Sequence, residues 1–487
     1  MQIANQHLDV LIVGAGLSGI GAAYHLQTKC PDRSFALLEM RENMGGTWDL
    51  FRYPGIRSDS DMYTLGYNFR PWKAAKAIAD GPAILEYIKD TASENQIDKK
   101  IAYQHKMIAA NWSSADKKWT VKIAQLATGK EVEVSCQFLL MCSGYYDYDQ
   151  GYTPDFQGIE SFNGQLVHPQ KWTSDIDYDN KKVVVIGSGA TAVTLVPELA
   201  KKAAKVTMLQ RSPTYIITTP SEDVIANFAK KILPAKVAYK SARWKNITLS
   251  ILIYQLARRF PNFIKRLLMK LAQKELPAEV DVNVHFNPKY KPWDQRLCLI
   301  PDSDLYESLS DGSAQIVTDH IQHFTETGIQ LKSGKHLEAD LVVSATGLKM
   351  LMLGGATISI DNQTIKPADL FCYRGMMFNG MPNFAMTFGY TNASWTLKAD
   401  LTCDYVCRIL NYFKKTGATV ATPIMKEELD TEPLLDFNSG YVLRDIDNLP
   451  KQGSKKPWKV HQNYVMDLIS MKYNRLEDGV MEFGEKK

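Results

Sequence analysis

The chain has 487 residues, of which 45% are hydrophobic and 23% are charged, and its formal net charge is +4. This length exceeds that of one ordinary hydrophobic core, so two or three domains are expected. The N-terminus shows no basic region followed by a long apolar stretch, and no apolar run approaches the roughly 20 residues that span a bilayer. The sequence therefore predicts a globular, cytoplasmic protein and argues against a secreted or membrane-spanning one.

The first informative element is a glycine-rich turn that follows the apolar run at residues 10–13. The turn contains Gly14, Gly16 and Gly19. A buried parallel strand that passes through such a turn into a helix directs main-chain N–H groups at a pyrophosphate. Residues 20–29 have the pattern of this helix, and residues 34–38 that of the next strand, which ends at Glu39. An acid at this spacing accepts hydrogen bonds from a ribose diol, so the first turn predicts an FAD site.

A second turn of the same kind follows the apolar run at residues 183–186. It contains Gly187, Gly189 and Ala192. Residues 190–201 are predicted to form a helix and residues 205–209 a strand, but the next residues are Gln210 and Arg211 rather than an acid. A guanidinium group suits a 2′-phosphate better than a hydroxyl, so this turn predicts an NADPH site. The alternative for either turn is an ordinary strand-to-helix connection.

The remaining elements indicate an α/β fold with two Rossmann-like dinucleotide-binding domains and an inserted helical subdomain. Residues 117–123 and 131–135 alternate polar and apolar side chains around a turn, which predicts a hairpin. Residues 138–141 and 340–344 are predicted to be short separate strands. We expect an FAD-binding domain from residues 1–145 and 351–487, an NADP-binding domain from residues 146–215 and 289–350, and a basic helical insertion at residues 216–288.

Seven cysteines are scattered along the chain without any C-x-x-C pair. This arrangement disfavours a disulfide framework and a redox-active dithiol. Cys403 and Cys407 are neighbours on a predicted helix, and buried free thiols are the favoured interpretation over a metal site. No metal is predicted.

Residues 224–274 contain twelve lysines and arginines and no acidic residue. The same segment carries apolar side chains at helical spacing, and a basic amphipathic segment of this kind binds anionic membrane surfaces. The favoured alternative is a helical subdomain that packs on the protein and exposes its basic face to water. Nucleic acid is not predicted as a partner, because no recognition motif accompanies the charge. The sequence leaves peripheral membrane contact and the oligomeric state open.

A motif between the two turns suggests the reaction. Phe162, Gly164, His168 and Trp172 form the pattern F-x-G-x-x-x-H-x-x-x-W, followed by Thr173. This pattern resembles the fingerprint of class B flavoprotein monooxygenases, where Pro or Asp is common in place of Thr173. The terminal Trp172 resembles the Baeyer–Villiger branch. His168 is predicted to organise the linker between the domains, with general acid–base catalysis as the alternative.

Three further stretches, at residues 45–61, 292–296 and 389–395, are similar to the ethionamide-activating type of Baeyer–Villiger monooxygenase. The turns and this resemblance together assign the cofactor-binding positions. Those for FAD are Gly14, Gly16, Ser18, Gly19, Glu39, Gly46, Thr47, Trp48, Asp49, Leu50, Asp59, Met107 and Trp395. Those for NADPH are Gly187, Ser188, Gly189, Ala190, Thr191, Ala192, Gln210 and Arg211. Trp48 and Trp395 are expected at the flavin or nicotinamide edge, or in the core.

The resemblance implies an FAD enzyme that uses NADPH and O₂ to convert a ketone to an ester or lactone through a C4a-peroxyflavin, with sulfide and thioamide S-oxidation alongside. Such chemistry needs a permanent cation beside the flavin. Arg296 matches the family's catalytic arginine and Asp59 its carboxylate partner, whereas a surface ion pair is the alternative for Arg296. The rival functions are an N-hydroxylating or flavin-containing N/S-oxygenating monooxygenase, which Trp172 argues against, and a nucleotide-bound scaffold that docks on membranes.

Overall fold

The structure is a computed structural model that describes residues 3–295, 297–435, 437 and 439–484. The first part of the chain forms β1 (His7–Val13), α1 (Leu17–Lys29), β2 (Phe35–Glu39), α2 (Thr47–Leu50), α3 (Met62–Leu65), α4 (Gly81–Glu94), β3 (Ile101–Tyr103), β4 (His105–Ser113), β5 (Lys118–Gln125), β6 (Lys130–Met141) and β7 (Tyr146–Gly151).

The middle part forms β8 (Gln165–Val167), β9 (Lys182–Ile186), α5 (Ala190–Ala200), β10 (Lys205–Gln210), β11 (Ile216–Thr219), α6 (Val224–Ile232), α7 (Ala235–Arg259), α8 (Pro261–Glu275), α9 (Val282–His285), β12 (Cys298–Pro301), α10 (Asp304–Ser310), β13 (Ala314–Thr318), β14 (Ile321–Thr325), β15 (Gly328–Leu331), β16 (His336–Glu338), β17 (Leu341–Ser344) and β18 (Leu348–Met350).

The last part forms β19 (Thr357–Ile360), β20 (Gln363–Ile365), β21 (Cys372–Tyr373), β22 (Met377–Phe378), β23 (Phe384–Met386), α11 (Trp395–Thr416), β24 (Val420–Pro423), β25 (Thr431–Pro433), α12 (Gly440–Leu443), β26 (Lys451–Gly453), α13 (Tyr464–Leu468) and β27 (Met481–Gly484).

The larger sheet has the order β20-β19-β4-β5-β6-β1-β2-β3, with β23 also paired to β6. Strand β1 runs parallel to both β2 and β6. Its apolar residues alternate between the two faces: Val10 and Ile12 belong to one core cluster, and Leu11 and Val13 to another. Because both faces are covered, the strand has the continuous apolar sequence typical of a buried parallel strand.

The second sheet has the order β13-β10-β9-β17-β8, and all of its strands are parallel. Val183 and Val185 of β9 face one core cluster, whereas Val184 and Ile186 face another. Helices α6–α9 lie in the chain between β11 and β12. The predicted fold class, two Rossmann-like α/β units with inserted helices, is confirmed.

The region around β6 differs from the prediction in one respect. The hairpin is confirmed, because β5 and β6 pair in antiparallel register. However, residues 138–141 are not a separate strand, since β6 continues from Lys130 to Met141. Near Ser135 and Cys136 the same strand pairs with β5 on one side and with β1 on the other, so the backbone stays extended through both ladders.

The chain passes between the two sheets through β7 and β18, and these two strands pair with each other in antiparallel register. After β18, the chain returns to the larger sheet, where β19 runs parallel to β4 and β23 runs parallel to β6. The two crossing segments therefore form a two-stranded link between the sheets.

The inserted helices pack against both units. Ala226, Tyr239 and Ala242 belong to the core cluster that covers α1, whereas Ala272 and Leu276 belong to a cluster of the second sheet. One of the twelve basic residues, Arg243, is only 5% exposed. It donates to the carbonyl oxygens of residues 63, 64 and 66 and lies 3.5 Å from a carboxylate oxygen of Asp400. The insertion therefore does not direct every basic side chain to water.

Across the described ranges, no helix has both the length and the apolar character that a membrane crossing requires. All seven cysteines lie within these ranges, are buried and form no disulfide, so the expectation of buried free thiols at Cys403 and Cys407 is confirmed.

Candidate cofactor and active site

The first glycine turn begins where β1 ends, and close packing requires two of its three glycines, Gly14 and Gly19. Gly14 has φ +106°, and a Cβ there would lie 2.5 Å from the carbonyl oxygen of Cys142. A Cβ on Gly19 would lie 1.9 Å from the carbonyl oxygen of Gly14. Gly16 precedes α1, and no side chain of the described residues caps that helix. The turn thus presents main-chain N–H groups at a helix N-terminus, which fits a pyrophosphate.

Glu39 lies at the end of β2, beside this turn. Its carboxylate accepts hydrogen bonds from the N–H of Ala15 at 2.9 Å and from the N–H of Arg41 at 3.0 Å. Burial raises the pKa of Glu39, while these two hydrogen bonds act in the opposite direction. The carboxylate is therefore held against the turn, at the position where Rossmann folds bind a ribose.

The segment after β2 passes directly in front of the turn. A Cβ on Gly46, which has φ +57°, would lie 3.0 Å from the Cα of Gly16. Helix α2 follows, and its Asp49 is buried and lies 2.8 Å from the Arg41 guanidinium and 3.4 Å from that of Arg52. Thr47 lies close enough to Tyr148 to act against the burial that raises the pKa of this tyrosine. Trp48 and Leu50 are partly buried. Gly46 therefore allows the main chain of this segment to approach the main chain of the first glycine turn, where FAD is predicted to bind.

A cavity of about 550 Å³ lies against the same segment. Its lining includes Trp48, Asp49, Tyr53, Ile56 and Leu85. The volume is within the range of roughly 300–1,000 Å³ typical of small-molecule sites. The lining combines apolar and aromatic side chains with four charged residues, Asp49, Arg52, Asp80 and Lys89, a mixture that suits the edge of a cofactor.

The segment continues from the first nucleotide turn to the second unit. Tyr53 packs in one core cluster with Ala192 of α5. Burial raises the pKa of Tyr53, whereas the nearby Thr191, in the first turn of α5, acts to lower it. Arg57 forms two contacts with Asp304 of α10, at 2.5 and 3.4 Å. Tyr53 and Arg57, which the sequence analysis did not assign, lie within the stretch that carried the family resemblance. One segment therefore contacts both nucleotide-binding units.

One of the two catalytic assignments, Asp59, lies at the end of this segment. Asp59 is partly buried, and its negative charge lies close enough to Tyr53 to raise the pKa of that tyrosine. Arg296 lies outside the described residues. Two residues beyond it, the Sγ atom of Cys298 donates to the carbonyl oxygen of Ser188, 3.9 Å away. The chain next to position 296 therefore reaches the NADPH turn.

The second turn has the expected strand, turn and helix. Gly187 has φ +141°, and a Cβ there would lie 2.3 Å from the carbonyl oxygen of Ala345. Among the described atoms, nothing lies within 4 Å of the position that a Cβ on Gly189 would take. Ala190 is partly buried and begins α5, whereas Ala192 is fully buried on that helix. This open side of Gly189 leaves space for a pyrophosphate to approach the main chain.

Gln210, the last residue of β10, and Arg211, the residue after it, occupy different environments. Gln210 is 1% exposed, and its side-chain amide donates to the carbonyl oxygen of His285 and to the hydroxyl of Thr318, both at 2.8 Å. Arg211 is exposed. The amide group of Gln210 thus holds two segments together, whereas the guanidinium of Arg211 is accessible to a phosphate.

Trp395 joins the C-terminal part of the chain to the first turn. Its indole nitrogen donates to the hydroxyl of Ser18 at 2.8 Å, and its ring stacks on Tyr145 with centroids 5.3 Å apart. Trp395 is therefore brought to α1, as the assignment of both residues to the FAD site requires. Met107, in contrast, is 4% exposed, and its side chain belongs to a core cluster of the larger sheet.

Among the fingerprint residues, His168 lies at the two-stranded link, and its partner Gly347 is two residues from Ala345, which packs against Gly187 of the second turn. The Nδ1 atom of His168 accepts from the N–H of Gln170, so its Nε2 carries the hydrogen that is donated to Gly347 at 3.0 Å. A Cβ on Gly151 would lie 2.0 Å from the imidazole. His168 therefore contacts β7 and the residue preceding β18, and both of its ring nitrogens are engaged.

The other fingerprint residues pack in the core. Phe162 contacts Phe324 edge-on, with ring centroids 5.6 Å apart. A Cβ on Gly164 would lie 2.5 Å from the carbonyl oxygen of Asp340. Trp172 is 7% exposed and contacts Tyr178. These contacts pack the segment around β8, the edge strand of the second sheet, against the rest of that unit.

Comparison with known proteins agrees with this geometry. Flavin-binding monooxygenase-like proteins match residues 78–366, and an NAD(P)-binding Rossmann-like domain matches residues 12–76. The FAD-containing monooxygenase EthA of Mycobacterium tuberculosis is 52% identical over 483 residues, which cover 99% of this chain and 98% of that protein. The chain belongs to the flavin-binding monooxygenase-like family.

Two further similarities extend over most of the chain. The probable FAD-binding monooxygenase AlmA of Acinetobacter baylyi is 49% identical over 484 residues, covering 99% of this chain and 97% of that protein. A steroid monooxygenase solved with NADP has the same fold, with a TM-score of 0.78, 21% identity, and coverage of 99% of this chain and 100% of that one. The predictions of a flavoprotein monooxygenase with FAD and NADPH as its cofactors are confirmed.

Proposed function

We propose that this enzyme inserts one oxygen atom of O₂ beside the carbonyl group of a ketone and forms an ester or lactone. NADPH and a proton are consumed, and the second oxygen atom leaves as water. Bound FAD supplies the redox chemistry, because it takes a hydride from NADPH and, once reduced, activates O₂. The observation that carries this proposal is the segment at residues 46–61, which contacts both nucleotide-binding units through Gly46, Tyr53 and Arg57 and leads to Asp59.

The proposed cofactor contacts follow from the two turns. Gly14, Gly16 and Gly19 present main-chain N–H groups to the pyrophosphate of FAD, and Glu39 accepts from its ribose. The open main chain at Gly189 receives the pyrophosphate of NADPH. Arg211 binds the 2′-phosphate through a charge-assisted hydrogen bond.

The proposed catalytic cation is Arg296. An arginine stays protonated at any working pH and stabilises negative charge that develops on oxygen during transfer to the carbonyl carbon. Asp59 orients this guanidinium. Because the same cofactor chemistry transfers oxygen to soft nucleophiles when the reacting oxygen is protonated, S-oxidation of sulfides and thioamides accompanies ketone oxygenation.

The remaining site residues have positioning roles in this proposal. Trp395, held by Ser18 and Tyr145, forms a wall of the flavin site together with Trp48. His168 organises the link between the two units, since both of its nitrogens are engaged with main-chain groups. The proposed partners are a ketone or sulfide and O₂. The protein is cytoplasmic in this proposal. Its residues 224–274 bind peripherally to the surface of a membrane.

Product analysis with ¹⁸O₂ tests the proposed reaction. The purified holoenzyme is incubated with NADPH and a panel of short ketones, sulfides and primary amines. We expect ester or lactone that carries one ¹⁸O atom per ketone consumed, and sulfoxide from sulfides. Formation of hydroxylamines with no ester would assign the chain to the N-hydroxylating branch instead.

A further inference from the structure

The inserted helices carry an unusual concentration of exposed apolar side chains. Fifteen of the 22 exposed large apolar side chains among the described residues lie between positions 224 and 274. They follow helical spacing: Ile225, Phe228 and Ile232 on α6; Leu249, Leu252, Ile253 and Leu256 on α7; and Phe263, Leu267 and Leu271 on α8. Residues three, four or seven positions apart share one face of a helix, so each helix presents an apolar stripe to solvent.

Cations accompany these stripes. Of the twelve lysines and arginines in this fully described segment, eight are exposed: Lys231, Lys236, Lys240, Arg258, Arg259, Arg266, Lys270 and Lys274. The other four turn inward, as Arg243 does toward main-chain carbonyls and Lys245 toward Asp223. Within residues 224–274 the exposed side chains thus combine apolar and positively charged groups, which matches the headgroup and acyl regions of an anionic bilayer. Acidic groups border this segment: Glu222 and Glu275 are exposed, and Asp294 pairs with Arg258.

A second copy of the chain fits this surface less well. A symmetric dimer places the same patch on both subunits, so its eight exposed cations would face eight others. Large exposed apolar patches mark protein or membrane interaction sites, and the like charges disfavour the symmetric protein interface.

Helix α7 also connects this surface to the flavin site. Its inner residues Ile247, Ser250 and Ile251 line a cavity of about 20 Å³. The opposite wall contains Asn392 and Ser394, the residues that lead to Trp395 at the start of α11. One helix therefore exposes apolar side chains on its outer face and lines a cavity beside the flavin-site loop on its inner face.

We infer that α6–α8 dock on an anionic bilayer and that ketones dissolved in this bilayer enter the flavin site beside α7. This inference rests on the proposed ketone oxygenation and membrane contact, and it names the route and the class of substrate that uses it: apolar, long-chain carbonyl compounds. Short, water-soluble ketones do not need this route. Their oxygenation in buffer therefore tests the proposed function separately.

Sedimentation of the holoenzyme with vesicles tests the docking step. We expect binding to vesicles of phosphatidylglycerol and phosphatidylcholine at low salt, little binding to phosphatidylcholine alone, and release by salt. Phe228→Ser and Phe263→Ser should each reduce vesicle affinity about tenfold, because burial of a phenylalanine side chain contributes strongly to insertion. Leu126→Ser is the matched control, since Leu126 is 51% exposed on the hairpin between β5 and β6.

Kinetics on a long-chain methyl ketone dissolved in the same vesicles test the route. We expect anionic vesicles to lower the KM for this ketone relative to neutral vesicles and to leave the KM for a short ketone unchanged. The indole of Ser250→Trp is far larger than the cavity and should close the gap between α7 and the flavin-site loop, so it should raise the long-chain KM more than Thr248→Trp on the exposed side of α7 does. Retained FAD absorbance shows that both variants fold.

Five results would overturn the inference. Equal binding to both vesicle types, or none, removes the docking step. Vesicle binding with an unchanged long-chain KM, or equal effects of Ser250→Trp and Thr248→Trp, removes the route. A dimer that Phe228→Ser converts to a monomer assigns the surface to a second copy of the chain.

Discussion

The indole nitrogen of Trp395 donates a 2.8 Å hydrogen bond to the hydroxyl of Ser18, a residue 377 positions earlier in the chain. Ser18 lies in the first turn of α1, directly after the glycine turn, and Trp395 begins α11. The C-terminal part of the chain is thereby attached to the helix whose N-terminus is predicted to bind FAD. The geometry of the first nucleotide site therefore depends on two segments that are distant in sequence, the start of α1 and the start of α11.

A double-mutant cycle measures this attachment. Ser18→Ala and Trp395→Phe should each lower the free energy of unfolding of the holoenzyme, and their effects should be non-additive by about 0.5–1.5 kcal/mol. Denaturant unfolding followed by flavin fluorescence provides the measurement. Ser18→Ala combined with Trp172→Phe, which lies in a core cluster of the second sheet, is the additive control. Strict additivity in both pairs would show that the hydrogen bond contributes nothing.

Gly14→Ala should abolish FAD retention. The new Cβ would lie 2.5 Å from the Cys142 carbonyl oxygen, so β1 and β6 would have to separate where the turn begins. Gly144→Ala is the matched control, because Gly144 also has positive φ, +68°, but nothing among the described atoms lies within 4 Å of its Cβ position. It should cost only about 1–2 kcal/mol of stability for the left-handed backbone. Flavin absorbance after gel filtration distinguishes the two variants, and yellow Gly14→Ala protein would contradict the argument.

Arg211→Ala should reduce the preference for NADPH over NADH. Loss of one charge-assisted contact to the 2′-phosphate costs about 1.5–3 kcal/mol, which corresponds to roughly a tenfold to hundredfold loss of NADPH affinity. The affinity for NADH, which has no 2′-phosphate, should remain close to that of the wild type. Arg475→Ala, at another exposed arginine, is the control. An unchanged cofactor preference in Arg211→Ala would mean that another residue binds the phosphate.

The sequence predicted the parts of the fold that depend on local pattern. Strands β1 and β9 were predictable because a buried parallel strand requires a continuous apolar run. The turns after them were predictable because Gly14, Gly19 and Gly187 admit no Cβ. Gln210 and Arg211 show the limit of this reasoning. They are adjacent in sequence, but the strand directs Gln210 into contacts with His285 and Thr318, which come from elements 75 and 108 residues away.

The basic segment shows the same limit on a larger scale. Its composition predicted an amphipathic helical region, but no local signal separates Arg243 from its neighbours. Arg243 is buried because the carbonyl groups of residues 63, 64 and 66 converge on it and Asp400 lies beside it. Such partners are brought together only by tertiary structure, so a charge count alone overstates the exposed cations.

His168 should make stability depend on pH. Burial lowers the pKa of His168 in the folded protein. In the unfolded chain a histidine titrates at about pH 6.5, so the unfolded chain binds the proton first as the pH falls. The stabilising contribution of neutral His168 is therefore complete above about pH 6.5 and is lost as the pH falls from there through the lowered pKa. Denaturant unfolding across this range should show a smaller pH slope for His168→Gln than for the wild type. His336→Gln, at an exposed histidine, should keep the wild-type slope.

Arg296→Ala should separate reduction of the flavin from oxygenation of the ketone. Hydride transfer from NADPH does not require the proposed cation, so the variant should still bind FAD and still be reduced. Oxygen transfer to the carbonyl develops negative charge that the guanidinium stabilises by a few kcal/mol, as is typical of such sites. Ester formation should therefore vanish, and the NADPH consumed should appear as hydrogen peroxide.

Stopped-flow reduction and product analysis on the same Arg296→Ala preparation test this prediction. Asp59→Asn should lower the yield of ester per NADPH less severely, because it removes the carboxylate that orients the guanidinium and leaves the positive charge in place. Arg52→Ala is a control for loss of a cation near the flavin, since the side chain of Arg52 is 63% exposed and pairs with Asp49. Ester formed by Arg296→Ala at near wild-type yield per NADPH would show that a different group stabilises the transferring oxygen.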